Sequence, residues 1–464
     1  MMVMKFGGTS VEDARAMKTV IDIVTRERQR QPVVVVSAIA GATNTLLNAA
    51  ELAVQGNIDD AVASLHSLYE RHVQILENVV DTRSTVQQLI FETRKRIDEL
   101  KHLCQGIAII GELTNRSLDA ITSVGERLSS LILAEGMKER GLPVELVDAR
   151  TVIITDDHFA SATPLFNHIE EKTKAIIHPM LEQKKIVVTQ GFIGSTAKGV
   201  TTTLGRGGSD FTAAILGSVL SAEEIQIWTD VDGVLTADPR IAPAAKKLRI
   251  LSFREASELA YFGAKVLHPS TILPAVKKNI PVVVLNSLRP NASGTQIVAN
   301  PPKSNVAVKA IASKKGITVV NIQSMRMLMA YGFLESIFSV FSKHKTPVDL
   351  VSTSEVAVSL TIDNTSRLDH IVTELEEFAE VTVYEKKAIV CIVGESMHAT
   401  AGVADRIFRA LGNINAMMIS QGASEINMSL VINDSDMTEA VRRLHAEFFE
   451  PVPEVELFEN VGAA

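Results

Sequence analysis

Cysteine, tryptophan and tyrosine are scarce in this chain, with two, one and four in 464 residues. Cys104 and Cys391 lie in apolar segments without the spacing of a metal or redox site, so they read as buried free thiols. That usage fits a reducing cytosol and offers no disulfide framework. Basic residues are not in excess: 46 lysines and arginines face 54 acidic residues, a formal charge of −8. Such a chain has no global attraction for nucleic acid or an anionic membrane. The longest apolar runs, around residues 33–36 and 280–285, fall far short of the ~20 residues of a membrane span. No long apolar stretch follows Met1, so no secretory leader is expected. H-E-x-x-H, CxxC and GxSxG are all missing, which leaves metallohydrolase and serine hydrolase chemistry unsupported.

What is present is apolar material for more than one core, 46% of all residues. At roughly 100–200 residues per domain the length suggests two to four domains. Residues 3–6 read as a strand, followed by Gly7-Gly8 and a helix from near Val11. Residues 32–37 form a continuous β-branched run, the mark of a strand buried on both faces, and 186–190, 225–230 and 281–286 repeat that style. Helical patterns such as 128–140 and 211–219 lie between them. The expected fold class is therefore α/β, a sheet covered by helices on both faces. Residues 45–122 read as a helical elaboration of that domain, and Pro, Asn, Ser and Gly crowd residues 291–305 as in a linker.

Beyond it the text repeats itself. Segments 316–360 and 386–430 align without gaps at an offset of 70, pairing Gly332 with Gly402, Phe338 with Phe408, Glu355 with Glu425 and Leu360 with Leu430. Each copy reads as one small βαββαβ unit. One copy buries little surface alone, so the two should pack on each other or on a second subunit.

Several loops could carry chemistry. Lys5-Phe6-Gly7-Gly8-Thr9-Ser10 joins a strand to a helix, where glycines free the backbone and a helix N-terminus attracts phosphate. It lacks the Walker spacing, and a plain turn with a surface lysine also accounts for it. Gly205-Arg206-Gly207-Gly208-Ser209-Asp210 again precedes a helix. Ser209 or Asp210 could cap that helix, while Arg206 between glycines suits a carboxylate or phosphate. Asp232-Gly233, flanked by valines, signals a hairpin, with Asp230 ending a buried strand and Arg240 within reach of phosphate. Ser123-x-x-Glu126 before an apolar helix reads as a capping box. Lys265 and His268, in the run 262–269, read as a nucleotide contact or a solvated lysine and as a structural histidine before proline.

Residues 5–10, Ser37-Ala38-Ile39-Ala40-Gly41-Ala42-Thr43-Asn44, Gln190-Gly191-Phe192, 203–210, 228–240 and 262–269, in this order, resemble the aspartate kinases of the amino-acid-kinase superfamily. The duplicated C-terminal unit is similar to their paired ACT modules, and the resemblance covers nearly the whole chain. It implies a catalytic domain over 1–295, an amino-acid-kinase-type sheet sandwiched by helices. A regulatory domain would follow over 296–464, with ferredoxin-like ACT units at about 316–385 and 386–450. These would be nested, the terminal strand near 455–458 returning to the first unit. Stopping after the second unit, the chain resembles the monofunctional form without a fused dehydrogenase.

The resemblance further implies ATP-dependent phosphorylation of the L-aspartate β-carboxylate, the first step of lysine, threonine and methionine biosynthesis, in the cytoplasm. Mg²⁺ would be carried with ATP, with no separate protein metal site. Lys5, Arg206 and Asp210 would be catalytic. Ser37, Thr43, Glu126, Arg206, Gly207, Gly208 and Ser209 would hold aspartate, with Glu126 near its ammonium and Arg206 at its α-carboxylate. Lys5, Gly7, Gly8, Thr229, Asp230, Leu235, Arg240, Lys265 and Val266 would meet ATP, and Leu235 stands where many relatives have tyrosine. Feedback by lysine, or by threonine, would act through Met327, Phe333, Leu334, Val348, Asp349, Ser354 and Glu355. In the second copy Ile419 replaces the acid of Asp349. A homodimer or homotetramer through the ACT units is expected, with no nucleic acid or membrane partner. Another kinase of the superfamily, or a non-catalytic ACT amino-acid sensor, remains as an alternative reading.

Overall fold

Valine and methionine dominate the first two strands, β1 (Met2–Phe6) and β2 (Pro32–Val36), and every residue of both is buried. Strands without a polar face need cover on both sides, which is the parallel-sheet pattern. The computed structural model describes residues 1–263, 269–302, 306–325, 331–395, 397–422, 424–450 and 457–460. One compact unit comprises Met1–Gly233, Ile250–Phe253 and Val266–Pro301; the other comprises Val234–Arg249, Arg254–Lys265 and Pro302–Ala464.

The strands that follow are β3 (Val144–Val147), β4 (Ile154–Thr155), β5 (Ile186–Gln190), β6 (Ile193–Thr196), β7 (Thr201–Thr203), β8 (Ile225–Thr229), β9 (Lys246–Leu248), β10 (Ile250–Ser252), β11 (Val282–Asn286) and β12 (Thr295–Val298). In the first unit an eight-stranded sheet runs β10-β12-β11-β8-β1-β2-β5-β3. Its ladders are parallel except for β11 with β12, and Met4 sits between Val34 and Gln226. β4, β6 and β7 form a small separate sheet.

Helices cover the main sheet. α1 (Ala14–Glu27) is capped by Asp13, whose carboxylate accepts from the Ala16 amide at 2.7 Å. α2 (Ala42–Val54), α3 (Ile58–Val79), α4 (Arg83–Ile110) and α5 (Asn115–Thr122) make the expected helical elaboration, packed through Leu46, Leu65, Leu76, Ile97 and Leu100. α6 (Val124–Glu139) lies against α1 and the sheet; α7 (Phe166–Glu182) lies against α8 (Gly208–Val219). No described helix is long and apolar enough to cross a membrane.

Two sequence expectations fail in this unit. Asp232-Gly233 closes no hairpin: β8 pairs in parallel with β1 and β11, so the turn leads out of the sheet. The linker-like stretch 291–305 does hold a boundary between the two units, at Pro301 and Pro302, but it also contains β12, whose alternating Thr295-Gln296-Ile297-Val298 pairs antiparallel with β11. Turn residues around a short strand hid its period of two.

In the second unit, α9 (Phe253–Tyr261) precedes α10 (Leu273–Lys277) of the first, and the repeat supplies the rest. It contributes β13 (Ala310–Gln323), α11 (Phe333–Lys343), β14 (Val351–Thr353), β15 (Ala357–Ile362), α12 (Leu368–Glu376), β16 (Glu380–Val393), α13 (Val403–Leu411), β17 (Met418–Gln421), β18 (Asn427–Asn433) and α14 (Met437–Phe449). The sheet is antiparallel, in the order β14-β15-β13-β16-β18-β17, which the repeat maps onto itself. Gly332 (φ +83°) and Gly402 (φ +82°) open equivalent helices in the left-handed region.

Each long strand serves both copies. Thr318–Gln323 lies beside β15 of its own copy while residues 310–314 pair with the far half of β16; conversely, residues 380–384 pair with the first copy. The fourth strand of each ferredoxin-like unit is therefore supplied from β13 and β16. The expected return of the terminal strand is overturned accordingly: β19 (Phe458–Asn460) pairs with β9 instead. Residues 455 and 456 lie outside the described residues. Lys309, fully buried, meets Glu255 of α9 at 2.8 Å and Glu395 at 3.5 Å.

Candidate active site

The loops after β1 and β2 lie against each other at the carboxyl ends of the parallel strands, where open α/β sheets bind ligands. The Ser37 amide donates to Phe6 O at 3.1 Å, and the Ala40 amide to Gly8 O at 3.1 Å. A Cβ at residue 8 would stand 3.0 Å from Ala38 O and 3.3 Å from Ala40 N, so the approach requires glycine. Arg71 of α3 fixes both loops, donating to Ala40 O at 2.6 Å and Glu12 O at 3.0 Å. Sequence reasoning missed Arg71, which sits in a helix of mixed charge far from any glycine loop.

The second glycine loop supplies the opposite wall. Gly207 is the N-cap of α8 with φ +70°, a backbone state that disfavours side chains. Neither Ser209 nor Asp210 caps the helix, contrary to expectation. Asp210 instead turns to Lys5, Oδ1 to Nζ 2.7 Å, and both side chains are largely buried. Arg206 is exposed and has no ion-pair partner among the described residues.

Glu126 stands in the first turn of α6, but not in a capping box. Ser123 is helical (φ −60°, ψ −19°), caps nothing, and its hydroxyl donates to Ala120 O at 2.8 Å. The two helices α5 and α6 run nearly head to tail, so Ser123 cannot take the extended geometry of a cap. The buried Glu126 carboxyl accepts from its own amide and that of Ala38, while Oε2 has no partner among the described residues. Burial pushes its pKa up to about 8, against the pull of those hydrogen bonds.

These groups share one cavity of about 570 Å³. Lys5, Gly8, Ser37, Thr43, Glu126, Arg206, Gly207, Gly208, Ser209 and Asp210 all line it. Asp119 and Ala160, not anticipated from sequence, line it too. A cavity with lysine, arginine, two helix N-termini and an unpaired carboxyl suits a small zwitterion beside a phosphoryl group. Among the described residues no group of three or more His, Cys, Asp or Glu is placed to hold a metal.

Other expected residues lie apart from the cavity lining. Gly7 donates to Trp228 O at 3.0 Å, next to Thr229 and Asp230 at the end of β8. Asn286 and Ser287 brace that edge, the Asn286 amide donating to Asp232 Oδ1 at 2.7 Å and the Ser287 amide to Thr229 O at 2.8 Å. Leu235 and Arg240 belong to the second unit, where Arg240 makes a two-pronged pair with Asp238 (3.0 and 2.6 Å). Lys265, Val266 and His268 lie outside the described residues.

Of the residues expected to take an effector, Met327 lies outside the described residues. Phe333 and Leu334 open α11, Val348 and Asp349 precede β14, and Ser354 and Glu355 form the β14–β15 turn. Asp349 accepts from the Tyr261 hydroxyl at 2.8 Å and lies 3.6 Å from Lys314, which also meets Asp363 at 2.6 Å. Burial raises the Asp349 pKa, against the pull of Tyr261 and Lys314.

The amino acid kinase family pattern matches residues 1–286, and an ACT domain pattern matches 390–448. The chain is 38% identical to lysine-sensitive aspartokinase 3 of Escherichia coli K12, over 97% of this chain and 99% of that one. A structure of E. coli aspartokinase III in complex with aspartate and ADP (R-state) matches with a TM-score of 0.85 and 37% identity, covering 97% of this chain and all of that one. The same enzyme in complex with lysine and aspartate (T-state) matches with a TM-score of 0.79 and 36% identity, covering 97% and 99%. With both of its units matched and a kinase cavity formed at the carboxyl ends of its parallel strands, the chain belongs to the aspartokinase family and is a phosphotransferase.

Proposed function

We propose that this enzyme transfers the γ-phosphoryl group of MgATP to the β-carboxylate of L-aspartate, giving 4-phospho-L-aspartate. The observation that carries the reading is the single cavity in which Lys5, Arg206 and the unpaired Glu126 converge. Glu126 faces the substrate ammonium and Arg206 its α-carboxylate; Thr43, Ser37 and Ser209 complete the aspartate site. Lys5 and the amides around Gly7, Gly8 and Gly208 meet the transferred phosphoryl group. Thr229, Asp230, Leu235, Arg240, Lys265 and Val266 serve the nucleotide, and Mg²⁺ arrives bound to its phosphates.

The chemistry asks little of a base. An aspartate side chain, with an ordinary pKa of about 3.9, is already anionic near neutrality. The difficulty is to bring one anion up to another. Lys5 and the helix N-termini supply fixed positive charge where negative charge builds, so catalysis is positioning plus electrostatic stabilisation of an in-line transfer. Asp210 holds the Lys5 ammonium at a defined place.

The regulatory reading follows from the ACT sheet and from the lysine complex of the E. coli relative. Lysine acts as feedback inhibitor at Asp349, Glu355, Ser354, Phe333, Leu334, Val348 and Met327, in an assembly joined through ACT units. The reaction would open the route to lysine, threonine and methionine in the cytoplasm. The test is ADP release from MgATP with aspartate, glutamate or no acceptor, each with and without lysine. Aspartate-dependent turnover suppressed by lysine is the expected result. Turnover indifferent to acceptor would overturn the substrate, and indifference to lysine would overturn the effector.

A further inference from the structure

Asp119, on α5, is 1% exposed, yet among the described residues its carboxylate faces no cation. Its oxygens are taken up by hydrogen bonds from two other segments. The Thr203 hydroxyl donates to Oδ1 at 2.6 Å and the Thr203 amide to Oδ2 at 3.0 Å; the Ala160 amide donates to both, at 3.1 and 2.9 Å. All of these partners can donate to an acceptor-only carboxylate, and none leaves it free for a ligand.

Both segments have the same neighbour. Ala160 is held at φ +70°, a left-handed state uncommon outside glycine. Its carbonyl lies 3.2 Å from where a Cβ of Gly205 would stand. Thr203 ends β7, two residues before Gly205, and accepts at its own carbonyl from the Ala162 amide at 2.9 Å. Gly205, itself at φ +75°, is the hinge from which Arg206 extends. The stem of the arginine loop is thus tied on one side to Asp119 through Thr203, and packed on the other against a strained turn that Asp119 also holds.

We infer that Asp119 is a positioning residue for aspartate recognition, acting through Thr203 and Ala160 to present Arg206 in its binding geometry before substrate arrives. The inference rests on the proposed role of Arg206. Preorganisation of this kind acts on the affinity of the group Arg206 holds, and leaves the nucleotide side alone. Burial raises the pKa of Asp119, opposed by the hydrogen bonds that favour its charged form.

The test measures kcat and KM for aspartate and for MgATP in the full chain with Asp119→Asn, the milder Thr203→Val, and Asp119→Asn combined with Ala160→Gly. The expected result is an aspartate KM raised about 10- to 100-fold by Asp119→Asn, the range for a lost charged hydrogen bond, with the MgATP KM within about threefold of wild type. Thr203→Val should shift the aspartate KM in the same direction by less. Ala160→Gly should recover part of the loss, because glycine adopts φ +70° without being held there. An unchanged aspartate KM, equal shifts in both KM values, or no recovery in the double variant would each overturn the inference. Should Asp119→Asn fail to fold, Thr203→Val alone decides by the same split. Wild-type enzyme without aspartate-dependent turnover would instead overturn the functional reading, and this inference with it.

Discussion

The cavity of the kinase unit and the charged cluster of the ACT sheet differ in how much of their charge is already satisfied. In the cavity Lys5 is paired with Asp210, while among the described residues Arg206 has no ion-pair partner and Glu126 Oε2 has no hydrogen-bond partner, its pKa pushed up to about 8. On the ACT sheet Lys314 bridges Asp363 and Asp349, Tyr261 donates to Asp349, and the lysine sits over the tyrosine ring at 5.7 Å. Lys309 is likewise paired with Glu255. Groups left without partners, such as Arg206 and Glu126 Oε2, gain their interactions only when a ligand arrives. A group already bonded, such as Asp349 Oδ1, must give up bonds to take a ligand, so a ligand there would compete with the protein.

Four experiments would break or sharpen that contrast. Lys5→Ala should have the largest effect, lowering kcat about 100- to 1,000-fold, the usual loss of a group that stabilises transferring charge. The KM for MgATP should change far less, and near-normal turnover would reject the role. Next, Arg206→Ala should raise the aspartate KM about 10- to 100-fold. Arg206→Lys should recover little, because an ammonium cannot match a two-pronged carboxylate contact.

The third concerns protonation. The Glu126 carboxyl is mostly neutral below pH 8, whereas an ammonium needs the anion. Wild-type kcat/KM for aspartate should therefore rise with pH, up to tenfold per unit, and level off near pH 8. Glu126→Gln should flatten that slope. In the folded state the raised pKa retains a proton that the unfolded chain has lost, so this group's contribution to stability falls as pH rises from 4.5 to about 8 and then levels off. Thermal melts should show aspartate stabilising most above that pH. The smallest effect is expected at Tyr261→Phe, which removes one bond to Asp349. The lysine midpoint should shift about two- to tenfold toward tighter inhibition, the size of one hydrogen bond. A shift in the opposite direction would mean that Tyr261 orders the effector site rather than competing for it.

Strand identity was legible because valine runs such as Pro32–Val36 and the glycine-to-helix junctions carry their meaning locally. The repeat was legible too, since helices at Gly332 and Gly402 open with the same left-handed glycine. Local reading failed where a residue serves two purposes. Ser123-x-x-Glu126 has the letters of a cap, but tertiary packing spends the glutamate on the cavity. Asp119 lies between Leu118 and Ala120 with no motif around it, and its partners are 41 and 84 residues away. Such a role is set by tertiary contact, which a window of sequence does not contain. The terminal strand was legible but its partner was not, for the same reason: β9 lies about two hundred residues upstream of β19.

The half-strand exchange between β13 and β16 bears on how this sheet could ever be divided. A gene cut between the copies, in the loop before β16, would leave each fragment short of the strand segment that the other carries. Neither piece would be a free-standing ACT module, and each would expose an open backbone edge complementary to its counterpart. Such fragments should find each other when mixed, and swapping one copy between relatives should succeed only when β13 and β16 travel together.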